Sequence, residues 1–513
     1  MLLASEKFLR PIDDIVETLK NAKERGTKCS VLIGAGCSVT AGIPTAQGFV
    51  DVIKEKYPTK YNRADPKTYP GCMSELSISE QRALIANFVD KSKINWGHIA
   101  LAQLIKEGFV DRVLTTNFDS LVVRACAMVG IFPAVYDFAS SQDFQPDKVP
   151  GQAVFYLHGQ RTGFILMNEK KVLDKQSDLL APVFADAGRG RIWLVVGYSG
   201  ENDPVFSRLA EVEKFDNNLY WVGYQDNPPG NHVLGNLLAE EKDKDAYYIN
   251  GFDADSFFVT LAQMLGCFPP QFVSKPFSHL DNLFDNLTSY TFPKTNAPVN
   301  AMWHARNFVR EAVAKIEGVQ SDVLQAWADL LAGQHAKVIE LAPKYGKGMH
   351  PQVQDAIAWA YTMQGNELLS RARTKSGEEM HALFKESGEK HAEAVTIKPD
   401  KHEAFNNWGA TLDAWARTKE GVDADALFRD AGEKYAEAVK IKPDYHEALN
   451  NWGLLLDARA RKKEGVEADA LFREAGAKYA EAVKIKPDKH EAFNNWGVAL
   501  YAQAQKKEGA EAD

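Results

Sequence analysis

Six short segments of this 513-residue sequence carry residue types and spacings that do chemistry. In Gly34-Ala35-Gly36-Cys37-Ser38, two glycines one residue apart let backbone N–H groups approach a pyrophosphate at a helix N-terminus. Thr116-Asn117-Phe118-Asp119 sets an amide beside a carboxylate, and His158-Gly159 supplies an imidazole, which titrates near neutral pH and serves as a general base. Gly197-Tyr198-Ser199-Gly200-Glu201, Gly223-Tyr224 and Asn250-Gly251-Phe252-Asp253 complete the set. One Gly-x-Gly is a common turn, whereas six glycine-bearing or polar segments at matching places describe a nucleotide site. Plainer readings stand beside this one. Asn117 and Asp119 are both favoured helix N-caps, Asp203 before Pro204 reads equally as a helix start, and Cys37 reads as a small buried residue.

Each segment follows a short β-rich run: Lys28 to Ile33, Val110 to Thr115, Ala153 to Leu157, Ile192 to Val196, Leu219 to Val222 and Ala246 to Ile249. The runs alternate with helical stretches over the first ~285 residues, the pattern of an α/β Rossmann-like fold with a parallel sheet. In such sheets ligands bind outside the carboxyl ends of the strands, where the six segments fall.

Composition narrows the class. The chain is 45% hydrophobic and 25% charged, which excludes a wholly disordered chain, a collagen and a disulfide-stapled miniprotein. A net charge of −9 argues against generic nucleic-acid binding, which depends on neutralising phosphates. Cys29, Cys37, Cys72, Cys126 and Cys267 are scattered with no paired spacing, as in a reducing compartment. No apolar run is long enough to cross a bilayer, and the N-terminus has no signal-peptide core. The expectation is a cytoplasmic protein without a membrane partner.

The C-terminal part repeats. Asn-Asn-Trp-Gly recurs with Trp408, Trp452 and Trp496, Lys-Pro-Asp with Pro399, Pro443 and Pro487, and Ala-Leu-Phe with Phe384, Phe428 and Phe472, each stepping by 44 residues. A degenerate earlier copy keeps Gly365 but has Gln364 in place of the Trp. Each unit reads as two helices, one from His402 to Lys419 and one from about Asp423 to Ile441, reset by Pro443. Stacked units predict an all-α solenoid over residues 346–513 with a protein-binding concave face. The units resemble tetratricopeptide repeats with about ten extra residues. His402, His446 and His490 recur in step, which reflects packing rather than metal ligation. Residues 286–345 read as a linker and helical adaptor, with the Pro- and Asn-rich stretch starting at Pro269. Gly509 to Asp513 corresponds to the start of a second helix, so the array is expected to continue in a longer protein.

Residues 30 to 260 resemble a sirtuin domain. The resemblance rests on Gly34 to Ser38 (Gly-Ala-Gly-x-Ser), Gly42-Ile43-Pro44, Asn117 with Asp119, and His158-Gly159, in the family's order and spacing. It implies that residues 1–285 form a sirtuin-like NAD-binding catalytic domain. Sirtuin deacylases follow Gly-Ile-Pro with Asp-Phe-Arg and carry a four-cysteine zinc module after the histidine. Here Thr45-Ala46-Gln47 follows instead, and only Cys267 lies beyond His158, so no zinc is expected. The pattern is similar to zinc-free sirtuin-like domains of bacterial anti-phage proteins, which hydrolyse NAD and are often fused to repeats.

The resemblance assigns roles. NAD+ is a substrate, split into nicotinamide and ADP-ribose. Asn117 orients water or ribose hydroxyls, His158 accepts a proton, and Asp119 stabilises developing charge or fixes its loop. Gly34, Ala35, Gly36 and Ser38 hold pyrophosphate, Ile43 and Pro44 wall the nicotinamide, and Thr116, Gly197, Ser199, Asn250 and Phe252 serve the rest of the nucleotide. The expected function is a regulated NAD+ glycohydrolase acting in abortive infection. Its repeats would sense a phage component or protein partner, or control assembly into a homo-oligomer. The alternatives are a protein deacylase, a non-catalytic NAD or ADP-ribose sensor, and a cyclase sharing the first half-reaction.

Overall fold

The computed structural model of the chain describes residues 8–138, 145, 148–161, 180–201, 203–224, 229–239, 243–285, 307, 309, 319–345, 349–487 and 490–506. Two units follow one another, residues 1–282 and 283–513.

The first unit is built on seven strands: β1 (Cys29–Ile33), β2 (Val110–Thr115), β3 (Ala134–Asp137), β4 (Ala153–Tyr156), β5 (Ile192–Val196), β6 (Leu219–Val222) and β7 (Ala246–Ile249). They form one sheet in the order β3-β4-β2-β1-β5-β6-β7, with every pair parallel. β1, β2, β4, β5 and β6 are buried along their whole length. Their near-continuous apolar runs, such as Ile192-Trp193-Leu194-Val195-Val196, are what a sheet covered on both faces demands. Six strands match the runs read from the sequence. The seventh, β3, is a half-exposed edge strand of four residues whose Ala-Val-Tyr-Asp carries too little pattern to stand out.

One face of the sheet packs Leu32, Leu114, Phe155, Trp193 and Trp221 against Leu180, Val183, Phe206 and Leu209. Between β1 and β2 the chain makes a helical insertion with its own core of Ile43, Phe49, Ile53, Met73, Leu84 and Ile85. The helices Trp96–Lys106 and Ala254–Met264 pack on one another.

Register sets the site. Ile33 pairs with both Thr115 and Val196, and Thr115 pairs with Tyr156. The loops beginning at Gly34, Thr116, Leu157 and Gly197 therefore leave the sheet at one level. From β1 the chain builds outward first through β2 and then, on the other side, through β5, so the crevice where strand order reverses lies between the β1 and β5 loops.

In the second unit, Pro351–Arg373 pairs with Gly377–Ile397, His402–Arg417 with Gly421–Ile441, and His446–Arg461 with Gly465–Ile485, followed by His490–Gln505. This is an all-α run of helix pairs consistent with a solenoid. The repeat residues make the pair contacts. A Cβ on Gly409 would lie 2.8 Å from the Tyr435 ring, and one on Gly453 would lie 2.6 Å from Tyr479, so these glycines let helix and ring close up. The copy without Trp is also a helix pair, with His391 at the tyrosine position against Gly365. His402 packs edge-to-face on Tyr445, with ring centroids 4.8 Å apart, and lies 3.4 Å from Glu403. In the stretch read as linker and adaptor, Gln271–Ser274, Pro276–Asp285, Val319–Leu331, His335–Ile339 and Ala342–Tyr345 are helical. Most of residues 286–318 and all of 509–513, on which the linker and the continuing array rest, lie outside the described residues.

Candidate active site

The β1 loop enters a short 3-10 turn, Ala35–Ser38, and leans on the β5 loop. Gly36 N–H donates to the Gly197 carbonyl at 2.8 Å and Gly34 N–H to the Val196 carbonyl at 3.1 Å. A Cβ at Gly34 or Gly36 would stand 2.6–2.7 Å from Gly197–Tyr198 backbone atoms, and Gly197 itself adopts a φ of +63°. The glycine spacing thus serves the close approach of two loops. The Gly34 and Gly36 N–H groups, read from the sequence as pyrophosphate donors, are engaged by the protein. Ala35 N–H makes no hydrogen bond among the described residues and remains the donor at the start of the turn.

Asn117, Asp119 and Ser38 form one buried network. Ser38 Oγ donates to Asp119 Oδ2 at 2.9 Å, and Asn117 Nδ2 donates to Ser38 Oγ and to the Gly34 carbonyl, each at 3.1 Å. Asn117 N–H donates to Thr115 Oγ1. Asp119 Oδ1 accepts from Leu121 N–H at 3.0 Å at the start of helix Leu121–Met128, so the plain capping role is present as well. With its nitrogen used twice, the Asn117 amide plane is fixed, and its Oδ1 makes no hydrogen bond among the described residues. Burial pushes the Asp119 carboxyl above its ordinary value, against the lowering pull of Leu121 N–H and Ser38.

His158 follows β4 and is 9% exposed. Its Nε2 lies 3.3 Å from Asp203 Oδ1, an ion-pair distance outside hydrogen-bond geometry. Asp203 also caps helix Pro204–Glu211, accepting from Val205 N–H at 3.0 Å. Burial raises the Asp203 carboxyl, but His158, Val205 N–H and Tyr198 together hold it below its ordinary value. The two buried carboxylates are therefore displaced in opposite directions, one toward its neutral form and one toward its charged form.

The remaining candidates are less tightly gathered. Thr116 N–H donates to the Ile33 carbonyl. Ile43 is buried in the core of the helical insertion, and Pro44 beside it is half-buried against Gly48. Ser199 is exposed, with its carbonyl 2.8 Å from His232 Nε2. Asn250 is exposed and accepts from Gly251 N–H, while Phe252 packs edge-to-face on Phe257. These last two follow β7, three strand positions from β1, on the order of 14 Å along the sheet.

Two groups escaped the sequence reading as site residues. One is Asp203, which the sequence left open between a helix start and a role at the site and so did not place there. The other is a support beneath the glycine loop. Asn95 Nδ2 donates to the Cys37 carbonyl and to Thr40 Oγ1, both at 2.8 Å. Thr40 bonds Asp255, and Asp255 Oδ1 accepts from Gly97 N–H at 3.1 Å. Nothing local in the sequence marks this network, because its members lie up to 215 residues apart. Cys37 is buried with its thiol pushed well up by burial, as befits a packing residue.

Residues 111–246 match the family model described as SIR2-like domain. The match takes in Asn117, Asp119, His158 and Asp203. A curated "NAD-dependent protein deacetylase" of Haloarcula marismortui is 25% identical over 244 residues, covering 42% of this chain and 85% of the relative. Among solved structures, a Sir2 homolog–NAD complex is 18% identical at a TM-score of 0.32, covering 50% of this chain and 93% of that one. A Sir2 homologue mutant in complex with ADP-ribose is 19% identical at a TM-score of 0.31, covering 49% and 96%. Residues 111–246 of the first unit are thus similar to SIR2-like domains.

Proposed function

We propose that the first unit is an NAD+ glycohydrolase that releases nicotinamide and ADP-ribose. The reading is carried by the juxtaposition of the Asn117 amide, locked by Gly34 and Ser38, with His158 at the neighbouring strand end. The reaction breaks an N-glycosidic bond through a positively charged ribose centre and adds water to it. A fixed amide oxygen at Asn117 suits orienting water or a ribose hydroxyl, and the imidazole of His158 suits taking the proton. Asp119 keeps Ser38 and Asn117 in place. Ala35 N–H at the turn offers a donor to phosphate, the β5 loop the ribose side, and Asn250 and Phe252 the distal end. Ile43 and Pro44, on the helical insertion, would wall the nicotinamide.

Hydrolysis is favoured over deacylation by Thr45-Ala46-Gln47, where Thr45 caps helix Ala46–Lys56, and by a chain whose sole cysteine after His158 is Cys267. The deacetylase relative supports the second reading. Incubation with NAD and an acetylated peptide separates them. Peptide-independent ADP-ribose supports hydrolysis, whereas O-acetyl-ADP-ribose formed only with peptide supports deacylation. A cyclase would yield cyclic ADP-ribose, and a sensor would bind NAD without products. The helix pairs suit a protein partner or self-assembly that restrains the hydrolase in the cytoplasm until infection. Addition of phage-infected lysate to the full chain tests that part, with increased NAD loss as the supporting result.

A further inference from the structure

We propose that Asp203 is a positioning residue for His158, holding the imidazole from across the β1/β5 crevice during proton transfer; this rests on the hydrolase reading above. The two residues come from opposite sides of the strand-order reversal. β4 and β5 are three positions apart in the order β4-β2-β1-β5, so their ends lie on the order of 14 Å from one another. Yet Asp203 Oδ1 is 3.3 Å from His158 Nε2. The chain after β5 therefore brings Asp203 back toward the end of β4, and Gly197 and Gly200, at φ +63° and +71°, supply turns on that side. Phe206 packs where a Cβ on Gly200 would sit, which fixes the second of them.

A helix cap does not require a carboxylate, since Asn caps equally well. The side chains of Asp203 and His158 are only 13% and 11% exposed, so an unpaired charge there would be costly. A carboxylate against an imidazole orients the ring and offsets the imidazolium formed when it accepts a proton. In hydrolysis the water oxygen bonds to the ribose carbon. The carbon–nitrogen bond breaks with its electron pair going to nicotinamide, and the water proton passes to His158. With Nε2 facing Asp203, the ring's other nitrogen, Nδ1, is left for that proton.

The experiment uses the full chain with Asp203→Asn, His158→Ala and the double variant. Asp203→Asn keeps the cap and is expected to lower kcat roughly 10²-fold, within the range of a general base, while the KM for NAD changes less than threefold. Added to His158→Ala, it lowers kcat no further. In the ligand-free chain the two substitutions are also non-additive in unfolding midpoint. Wild-type kcat in Asp203→Asn, kcat losses that multiply, or additive midpoint shifts overturn the positioning role and leave hydrolysis standing. A wild-type chain that binds NAD without consuming it removes the hydrolase reading, and the positioning role falls with it.

Discussion

Asn117 Nδ2 and Ser38 Oγ lie 3.1 Å apart, which ties the end of β2 to the turn after β1. The hydroxyl passes the contact on to Asp119, so one small side chain joins the amide and the buried carboxylate. Ser38→Ala is expected to leave Asp119 and Asn117 short of a partner and to destabilise the first unit by about 1–3 kcal/mol. NAD turnover should fall with the amide held only by the Gly34 carbonyl, and Ser38→Thr should recover part of it. Denaturant unfolding and NAD consumption on the same preparations check both halves.

The repeated glycines give an internal contrast. Gly409 and Gly453 lie under Tyr435 and Tyr479, whereas a Cβ on Gly432 would meet Leu455 and Trp452 only at 3.6 and 3.8 Å. Gly409→Ala and Gly453→Ala are expected to lower stability by about 1–3 kcal/mol through overpacking. Gly432→Ala should be neutral or stabilising by up to about 1 kcal/mol, from helix propensity. Thermal melts of the three variants decide it.

His391 is fully buried, with neither ring nitrogen hydrogen-bonded among the described residues, and burial lowers its pKa to about 4 from 6.5. The unfolded chain therefore binds a proton more readily than the folded one. Its contribution to stability is complete above pH ~6.5 and is lost as pH falls toward 4, which amounts to about 2 kcal/mol at pH 5. His391→Tyr restores the ring found in the other repeats and should remove that part of the acid sensitivity. Unfolding midpoints of wild type and variant at pH 7.5 and 5 should diverge as the pH drops.

Arg112 lies at the start of β2, away from the loops of the site. It donates to Asp186 at 2.9 Å and to the Pro150 and Gly151 carbonyls, with its side chain 5% exposed. Arg112→Ala leaves a buried carboxylate and two carbonyls without that partner and should cost about 3–5 kcal/mol. NAD turnover per folded molecule should be unchanged. Urea unfolding, with activity normalised to the folded fraction, tests the separation.

The sheet was legible because its inner strands are buried on both faces and so read as unbroken apolar runs, such as Ile192 to Val196. β3 was not, because a half-exposed four-residue edge has no comparable pattern. The 44-residue period exposed the helix pairs without any knowledge of their contacts. At the site, residue types placed Asn117, Asp119 and His158 at strand ends. The partners that fix them, Ser38 to Asp119 and His158 to Asp203, depend on which loops meet across the crevice. The glycines at 34 and 36 were read as serving a ligand, whereas they serve the Gly197 loop, a contact made 161 residues downstream that no local motif encodes.

The central claim is that Asn117 and His158 act together on NAD. The direct measurement is NAD consumption with products resolved by chromatography, for wild type, Asn117→Ala and His158→Ala, each with and without phage-infected lysate. The account predicts nicotinamide and ADP-ribose from wild type, and losses of roughly 10²-fold or more in both variants. NAD bound but unconsumed by wild type under both conditions, or variants that hydrolyse it at the wild-type rate, would contradict it.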